Sequence, residues 1–408
     1  MTHFWQGLRS GEWLTSARAR GYSLILLGLC AVAIAGWIAV SDGLIDRNGK
    51  PLGTDFSNVY AAGRLTWQGH PAEAYDPPLQ HAAEKAVFAG REVPFYGWHY
   101  PPFFLAIAFL VAAVPYAWGL SIWLATSFTA YLMTMRAILP RSETLLIAAA
   151  FPAVFVNIGH GQNGFLTTAL LGGALHLLDR RPWLAGVLIG LLAYKPQFGA
   201  LIPIALLAGA RWRTIGAAIV TVASLIALSL VTLGGGVWHA FADSMAFTQT
   251  VVLEQGNTGW EKIQSIFSAV RMWGGSVQLA YAFQIALAAA LAATLARLWH
   301  SDAAFELKAA ALSVASLLAT PYVLDYDLVV LGIAIAYLAR LGLAHGFRAY
   351  EISVLAAAWI APLLSRGIAQ VAAIPLGLLV LLSLYTLILR RAAADRAGVR
   401  IGAPIAQA

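Results

Sequence analysis

Apolar positions along this chain gather into long blocks, and polar positions collect between them. Blocks such as "YSLILLGLCAVAIAGWIAV" (22–40) and "GLLVLLSLYTLILR" (377–390) match the thickness of a bilayer's hydrocarbon core, which about 20 helical residues span. After the first block, further apolar stretches fall near 101–114, 118–138, 144–157, 164–178, 182–194, 198–209 and 214–233. Five more follow near 277–298, 306–319, 326–344, 350–364 and 369–390. Polar segments cover 41–99 and 234–275. The pattern predicts an all-α polytopic membrane protein, a single integral membrane domain over 1–408. Basic punctuation at "DRRP" (179–182), "RWR" (211–213), "RLWH" (297–300) and "HGFR" (345–348) reads as cytoplasmic turns, which places both polar segments on the outer side. Thirteen crossings would put the termini on opposite sides. The stretch 101–114, short and opening on "YPP", is therefore expected to dip in and return, leaving about 12 crossings.

Composition supports this reading. Hydrophobic residues make up 60% of the 408 and charged residues only 11%, against roughly a quarter charged in soluble domains. The net charge of +7 does not point to nucleic acid, because the cations sit at helix ends. Arg9, Arg18 and Arg20 precede the first span, and Arg390, Arg391, Arg396 and Arg400 follow the last, so both termini are expected to be cytoplasmic. The first block is too long for a signal-peptide core and is expected to be a retained anchor. The lone cysteine, Cys30, allows no intramolecular disulfide. No internal repeat is evident.

The first outer segment carries its own helices. "DFSNVYAAGRLTWQ" has Thr54 or Asp55 as N-cap and a Gly-then-Pro stop at "GHP"; "PPLQHAAEKAVFA" opens on proline and stops at Gly90. Phe56, Val59, Gly63 and Trp67 share one helical face with Arg64 off it, which suits amphipathic helices lying flat on the membrane surface. Asp55 either caps its helix or acts as a general base tuned by partial desolvation. Asp42 and Asp46 sit in a Gly- and Asn-rich turn, as solvated loop residues do.

Other polar residues interrupt the apolar stretches. Trp98 and Tyr100 of "WHYPPF" read as interface-belt aromatics, whereas His99 is expected to face the same outer cavity as Asp55. "NIGHGQNGF" sets Asn157, His160, Gln162 and Asn163 between two apolar helices, either as a polar turn or as donors and acceptors for a hydroxyl-rich ligand. "AYKPQF" places Lys195 at membrane depth beside Pro196, where a cation marks a site or a paired partner unless it snorkels to the interface. "ATPYVLDYDL" adds Asp325 and Asp327, one to cap the following helix and one to face the cavity. The segment 234–275, with Glu254, Trp260, Glu261, Lys262 and Gln264, is a candidate lid.

Metal-ligand spacing, a phosphate-binding glycine loop and a nucleophile elbow are all missing, as is a soluble nucleotide-binding domain. An activated substrate is then expected to arrive within the membrane. A transporter or lipid flippase is the competing reading, since broken helices like that at "YKPQ" hold substrates in transporters. A ligase moving a preassembled glycan is a third reading. A scaffold would give no reason for Lys195.

The motifs taken in order resemble glycosyltransferase family 87: "TDFxxxYxAGRLxxxGxPAxAYD" at 54–76, "YPP" at 100–102, "GQ" at 161–162, "KPQ" at 195–197 and "TPYxxDYDL" at 320–328. That resemblance implies a GT-C-type membrane enzyme that transfers a hexose, by default mannose, from a polyprenyl-phosphate donor to a lipid or glycan acceptor. It implies an inverting reaction at the outer face of the cell (inner, cytoplasmic) membrane, in cell-envelope synthesis. It maps the catalytic base onto Asp55 and puts Lys195 near the lipid phosphate. Gln162, His160, His99, Arg64 and Gln197 are the further candidates for holding donor phosphate or sugar. Tyr322, Asp325 and Tyr326 occupy the "DYDL" neighbourhood, where relatives sometimes carry a histidine and this chain carries none. No cofactor is expected, and divalent metal is left open.

Overall fold

The computed structural model describes residues 2–397, so Arg400 lies outside the described residues. Helices α1 (Thr2–Ser10) and α2 (Ser16–Ala39) precede the first polar segment, which holds α3 (Phe56–Trp67) and α4 (Pro77–Val87). Next come α5 (Leu105–Val111), α6 (Tyr116–Ile138), α7 (Thr144–Ala149), α8 (Pro152–His160), α9 (Gly164–Leu177) and α10 (Pro182–Leu191). Helices α11 (Pro196–Gly199), α12 (Ile202–Ala208) and α13 (Trp212–Leu233) lead into the second polar segment, with α14 (Gly235–Phe247) and α15 (Ile266–Met272). The chain continues through α16 (Val277–His300), α17 (Phe305–Leu318), α18 (Leu331–His345), α19 (Glu351–Ala372) and α20 (Leu376–Arg396). Among the described residues there is no β-strand, only isolated bridges.

Six helices are long and apolar enough to cross a membrane: α2, α13, α16, α19, α20, and α18 with the 3-10 turn Asp325–Val330 that leads into it. This is a polytopic membrane protein. Their outward faces are apolar and exposed, as at Val32 (73%), Val231 (85%) and Val371 (90%), the surface a hydrocarbon solvent requires. About 12 unbroken crossings are not present among the described residues. The stretch expected at 144–157 is broken, those at 182–194 and 198–209 form the short apolar helices Pro182–Tyr194 and Pro196–Ala208, and those at 164–178 and 306–319 form α9 and α17, each of 14 residues. At 1.5 Å per residue, 14 residues reach about 21 Å, short of a hydrocarbon core. The breaks fall at Phe151–Pro152, at "GHGQN" and at "YKP". Non-helical backbone at this depth persists where protein or a cavity satisfies it.

The stretch 101–114 does not run on into α6. Its helical part and α6 pass as one apolar span only if joined, and their axes meet at 115°. Helix α5 packs instead against α3. The crossing is close: a Cβ on Gly63 would collide with the Ala108 carbonyl. Nine of the twelve residues of α3, from Phe56 to Gly63 and Leu65, are buried. The apolar face of α3, expected to rest on the membrane surface, packs on protein instead. Its apolar face meets α5, its other side meets α4, and only Arg64, Trp67 and the helix end are exposed.

One end was also misplaced at the level of sequence. The interval between the stretches expected at 350–364 and 369–390 lies inside α19, which ends at Ala372 before Ile374 and Pro375. Arg366 survives within a helix because a buried carboxylate pairs with it. The core centres on α17 and α18, whose facing sides are almost fully buried against each other and α20.

Candidate active site

The turn between α8 and α9 is built to present side chains. Gly161 adopts φ 61°, and a Cβ there would stand 2.6 Å from the Cβ of Phe56, so glycine alone lets this turn touch the start of α3. Asn157 braces the turn: its Nδ2 donates to the Gln162 carbonyl at 2.9 Å and its Oδ1 accepts from the Gly164 amide at 2.8 Å. His160 and Gln162 are thereby aimed at Asp55.

Asp55 stands at the first turn of α3, but its carboxylate makes no capping bond. The helix-cap reading fails on this point. Oδ2 accepts from Gln162 Nε2 at 2.9 Å, Oδ1 accepts from the Thr54 hydroxyl at 3.2 Å, and His160 Nδ1 lies 3.7 Å from Oδ1. The Gln162 amide is oriented in turn, its Oε1 accepting from the Tyr100 hydroxyl (3.3 Å) and the Asn163 amide (3.1 Å). Burial works to raise the Asp55 carboxyl, but the hydrogen bonding of His160, Gln162 and Thr54 around it brings it below the ordinary carboxylate value. It is ionised at neutral pH.

The direction of one hydrogen-bond chain can be deduced. Arg366 Nη2 lies 3.2 Å from His160 Nε2, and a guanidinium only donates, so Nε2 accepts. The proton of His160 then sits on Nδ1 and is donated to Thr54 Oγ1 at 2.8 Å, and Thr54 donates to Asp55. Arg366, His160, Thr54 and Asp55 form one polarised chain.

These groups open onto a cavity of about 610 Å³, within the range of small-molecule sites. Asp55, His99, His160, Gln162, Lys195, Gln197, Tyr322 and Tyr326 all line it. Two expected residues do not: Arg64 is exposed on the far side of α3, and Asp325 is buried behind the wall, its Oδ2 accepting from Arg366 Nε at 2.7 Å. The carboxylate that reaches the cavity is Asp327. It holds Lys195 Nζ at 2.5 Å and accepts from the Leu324 amide at 3.0 Å, capping the turn as well. Lys195 is 5% exposed and does not snorkel; it also sits over the rings of Phe198 and Tyr326. Burial lowers His99 to about 4, so it faces the cavity as a neutral ring, bonded to Thr248 Oγ1 at 2.7 Å. The second polar segment supplies a wall through Phe247, Val251, Asn257, Thr258, Glu261 and Lys262.

Sequence reasoning missed Asn58, Tyr96, Arg366 and Gln370 as lining residues. Only Arg366 carried a signal, a cation inside an apolar run. Among the described residues, no three His, Cys, Asp or Glu side chains group closely enough to hold a metal ion.

The arrangement is an ionised, hydrogen-bonded carboxylate in a polar cavity walled by the two polar segments and broken apolar helices, a layout suited to transfer onto a hydroxyl from a substrate held in the membrane. The family model for glycosyltransferase family 87 matches residues 98–321, more than half of the chain. The protein belongs to glycosyltransferase family 87 and is a membrane glycosyltransferase. The matched region holds "YPP", "GQ" and "KPQ"; Asp55 and most of the "DYDL" motif lie outside it. Comparison with curated proteins and with solved structures returned no match.

Proposed function

We propose that the protein transfers a hexose, with mannose as the default, from a polyprenyl-phosphate donor to a hydroxyl of a lipid or glycan acceptor, at the outer face of the cytoplasmic membrane. Asp55 is the general base. It takes the proton of the acceptor hydroxyl as that oxygen bonds to the anomeric carbon. The bond from that carbon to the phosphate oxygen breaks, and its electron pair leaves with polyprenyl phosphate. One displacement inverts the anomeric configuration. The carrying observation is the Asp55 carboxylate, buried yet turned away from its own helix end and held by Gln162 and Thr54 at the cavity wall. Such a base is preorganised and needs no rearrangement to accept a proton. Neutral His99, Gln197 and the tyrosines of the wall suit sugar hydroxyls as donors and acceptors. Family membership displaces the transporter reading.

The test is sugar transfer by purified protein in lipid. Labelled polyprenyl-phosphate-mannose and GDP-mannose are offered separately, with a membrane extract as acceptor source. Transfer is expected from the lipid donor only, with Asp55→Asn folded but slower by about two to four orders of magnitude. Equal rates for wild type and Asp55→Asn, or a product of retained configuration, would sink the mechanism. Transfer from GDP-mannose would sink the donor assignment.

A further inference from the structure

Behind the His160–Arg366 pair lies a second cavity, of about 400 Å³. Trp37 at the end of α2, Phe155 and Val156 of α8, and Pro362 and Leu363 of α19 give it apolar walls, and Asp325, paired with Arg366, adds a carboxylate at the inner end. Helices α2 and α19 are both spans with exposed apolar residues here, Ile38 at 52% and Leu363 at 50%, so this cavity faces the hydrocarbon side of the molecule. His160 and Arg366 belong to the walls of both cavities.

Four cations line the polar cavity: Lys50, Lys195, Lys262 and Arg366. A lipid phosphate needs one that touches polar and apolar space at once, and of these four Arg366 does so. Lys195 is engaged by Asp327. Arg366 is held differently. Its Nε and Nη2 bond Asp325 Oδ2 at 2.7 and 2.5 Å, its side chain is one-third exposed, and its Nη1 has no hydrogen-bond partner among the described residues. A guanidinium fixed through Nε and Nη2, with Nη1 left to donate, is preorganised for a phosphate oxygen.

We propose that Arg366 seats the phosphate of the polyprenyl-phosphate donor, with the first isoprene units in the apolar cavity and the sugar projecting toward Asp55. This rests on the lipid-donor reading above. It moves the phosphate contact from Lys195, where the family resemblance put it, to a residue outside the matched region. The chain through His160 and Thr54 then joins the phosphate seat to the base, so the charge of the leaving group and the proton of the acceptor settle at its two ends.

The experiment uses the full chain in lipid nanodiscs and a benzophenone-bearing farnesyl phosphate, with crosslinks mapped by mass spectrometry. Crosslinks are expected on the peptides holding Trp37, Phe155 and Leu363, displaced by farnesyl phosphate but not by equal inorganic phosphate. Replacing Arg366 alone would strand buried Asp325, so the charge is removed with the pair Asp325→Asn/Arg366→Gln. Displacement should weaken roughly ten- to hundredfold, the worth of one charge-assisted hydrogen bond. Leu363→Trp, at a half-exposed position, should fill the cavity and suppress crosslinking without a change in unfolding temperature. Asp55→Asn should label like wild type. Displaceable crosslinks elsewhere, or no displaceable crosslinks while lipid-donor transfer persists, overturn the seat and leave the lipid-donor reading standing. Equal displacement by inorganic phosphate overturns the isoprenoid part. Loss of both labelling and lipid-donor transfer in wild type overturns both.

Discussion

Glu84 shows how tightly a single side chain can be tied to the base. It is fully buried on α4, its Oε2 accepts from the Tyr96 amide at 3.1 Å, and its Oε1 has no partner. Gln80 Oε1 is likewise unpaired, while Gln80 Nε2 donates to the Asn58 carbonyl, one turn beyond Asp55. Burial raises Glu84 from 4.5 to about 9, so at neutral pH it is a neutral acid with a proton to donate. A carboxyl protonated in the folded state and ionised in the unfolded one stabilises fully below the unfolded value. That contribution is lost as pH rises from about 4.5 toward about 9. The unfolding temperature of wild type relative to Glu84→Gln should therefore fall across this window, since glutamine cannot ionise. Parallel curves for the two proteins would mean that Glu84 is ionised in the fold. The sequence pattern around Glu84 gave no sign of this, because its partners Tyr96 and Gln80 come together only through the packing of α4 on α3.

At the scale of elements, helix ends set by glycine and proline were legible, and ends set by long-range pairing were not. Gly69 with φ 83°, Asp76 capping Leu79, and the Pro77 start lie where local chemistry put them. The burial of α3 was invisible, because Ala108 and the Gly161 turn that cover it are remote in sequence. The helical continuity at Arg366 was invisible for the same reason, its partner Asp325 being supplied by the turn that leads into α18. The Lys195–Asp327 pair is the element-scale bond that ties the break before α11 to the turn leading into α18. Lys195→Met alone strands a buried carboxylate and should cost about 3–5 kcal/mol. The double variant Lys195→Met/Asp327→Leu should recover most of that in thermal unfolding, because a buried pair replaced by apolar groups of similar size is near neutral. If donor KM in the recovered double variant stays within a few-fold of wild type, Lys195 is a strut and not the phosphate ligand. A large rise in donor KM with full stability would return the phosphate to Lys195.

The whole molecule is polar along the axis of α19. At one end Glu351 accepts from Arg391, Arg348 pairs with Asp395, and the Tyr350 amide donates to the Arg9 carbonyl, so the first helix and the last meet there. At the other end Arg366 and Gln370 reach the polar cavity, which lies roughly 29 Å along the helix from Glu351 to Gln370. The end where α1 and the end of α20 meet collects Arg9, Arg348, Arg391 and Arg396, an excess of cations of the kind found on cytoplasmic faces. On that topology, which the proposed function uses, the cavity opens on the outer side. Cysteine labelling in intact cells tests this directly, on a Cys30→Ser background that leaves no native thiol. Asn48→Cys, exposed in the first polar segment, should react with a membrane-impermeant maleimide without permeabilisation. His345→Cys, exposed at the end of α18, should react only after the membrane is opened. The reverse pattern would turn the molecule over and place the cavity in the cytoplasm, where the same carboxylate would meet a different set of acceptors.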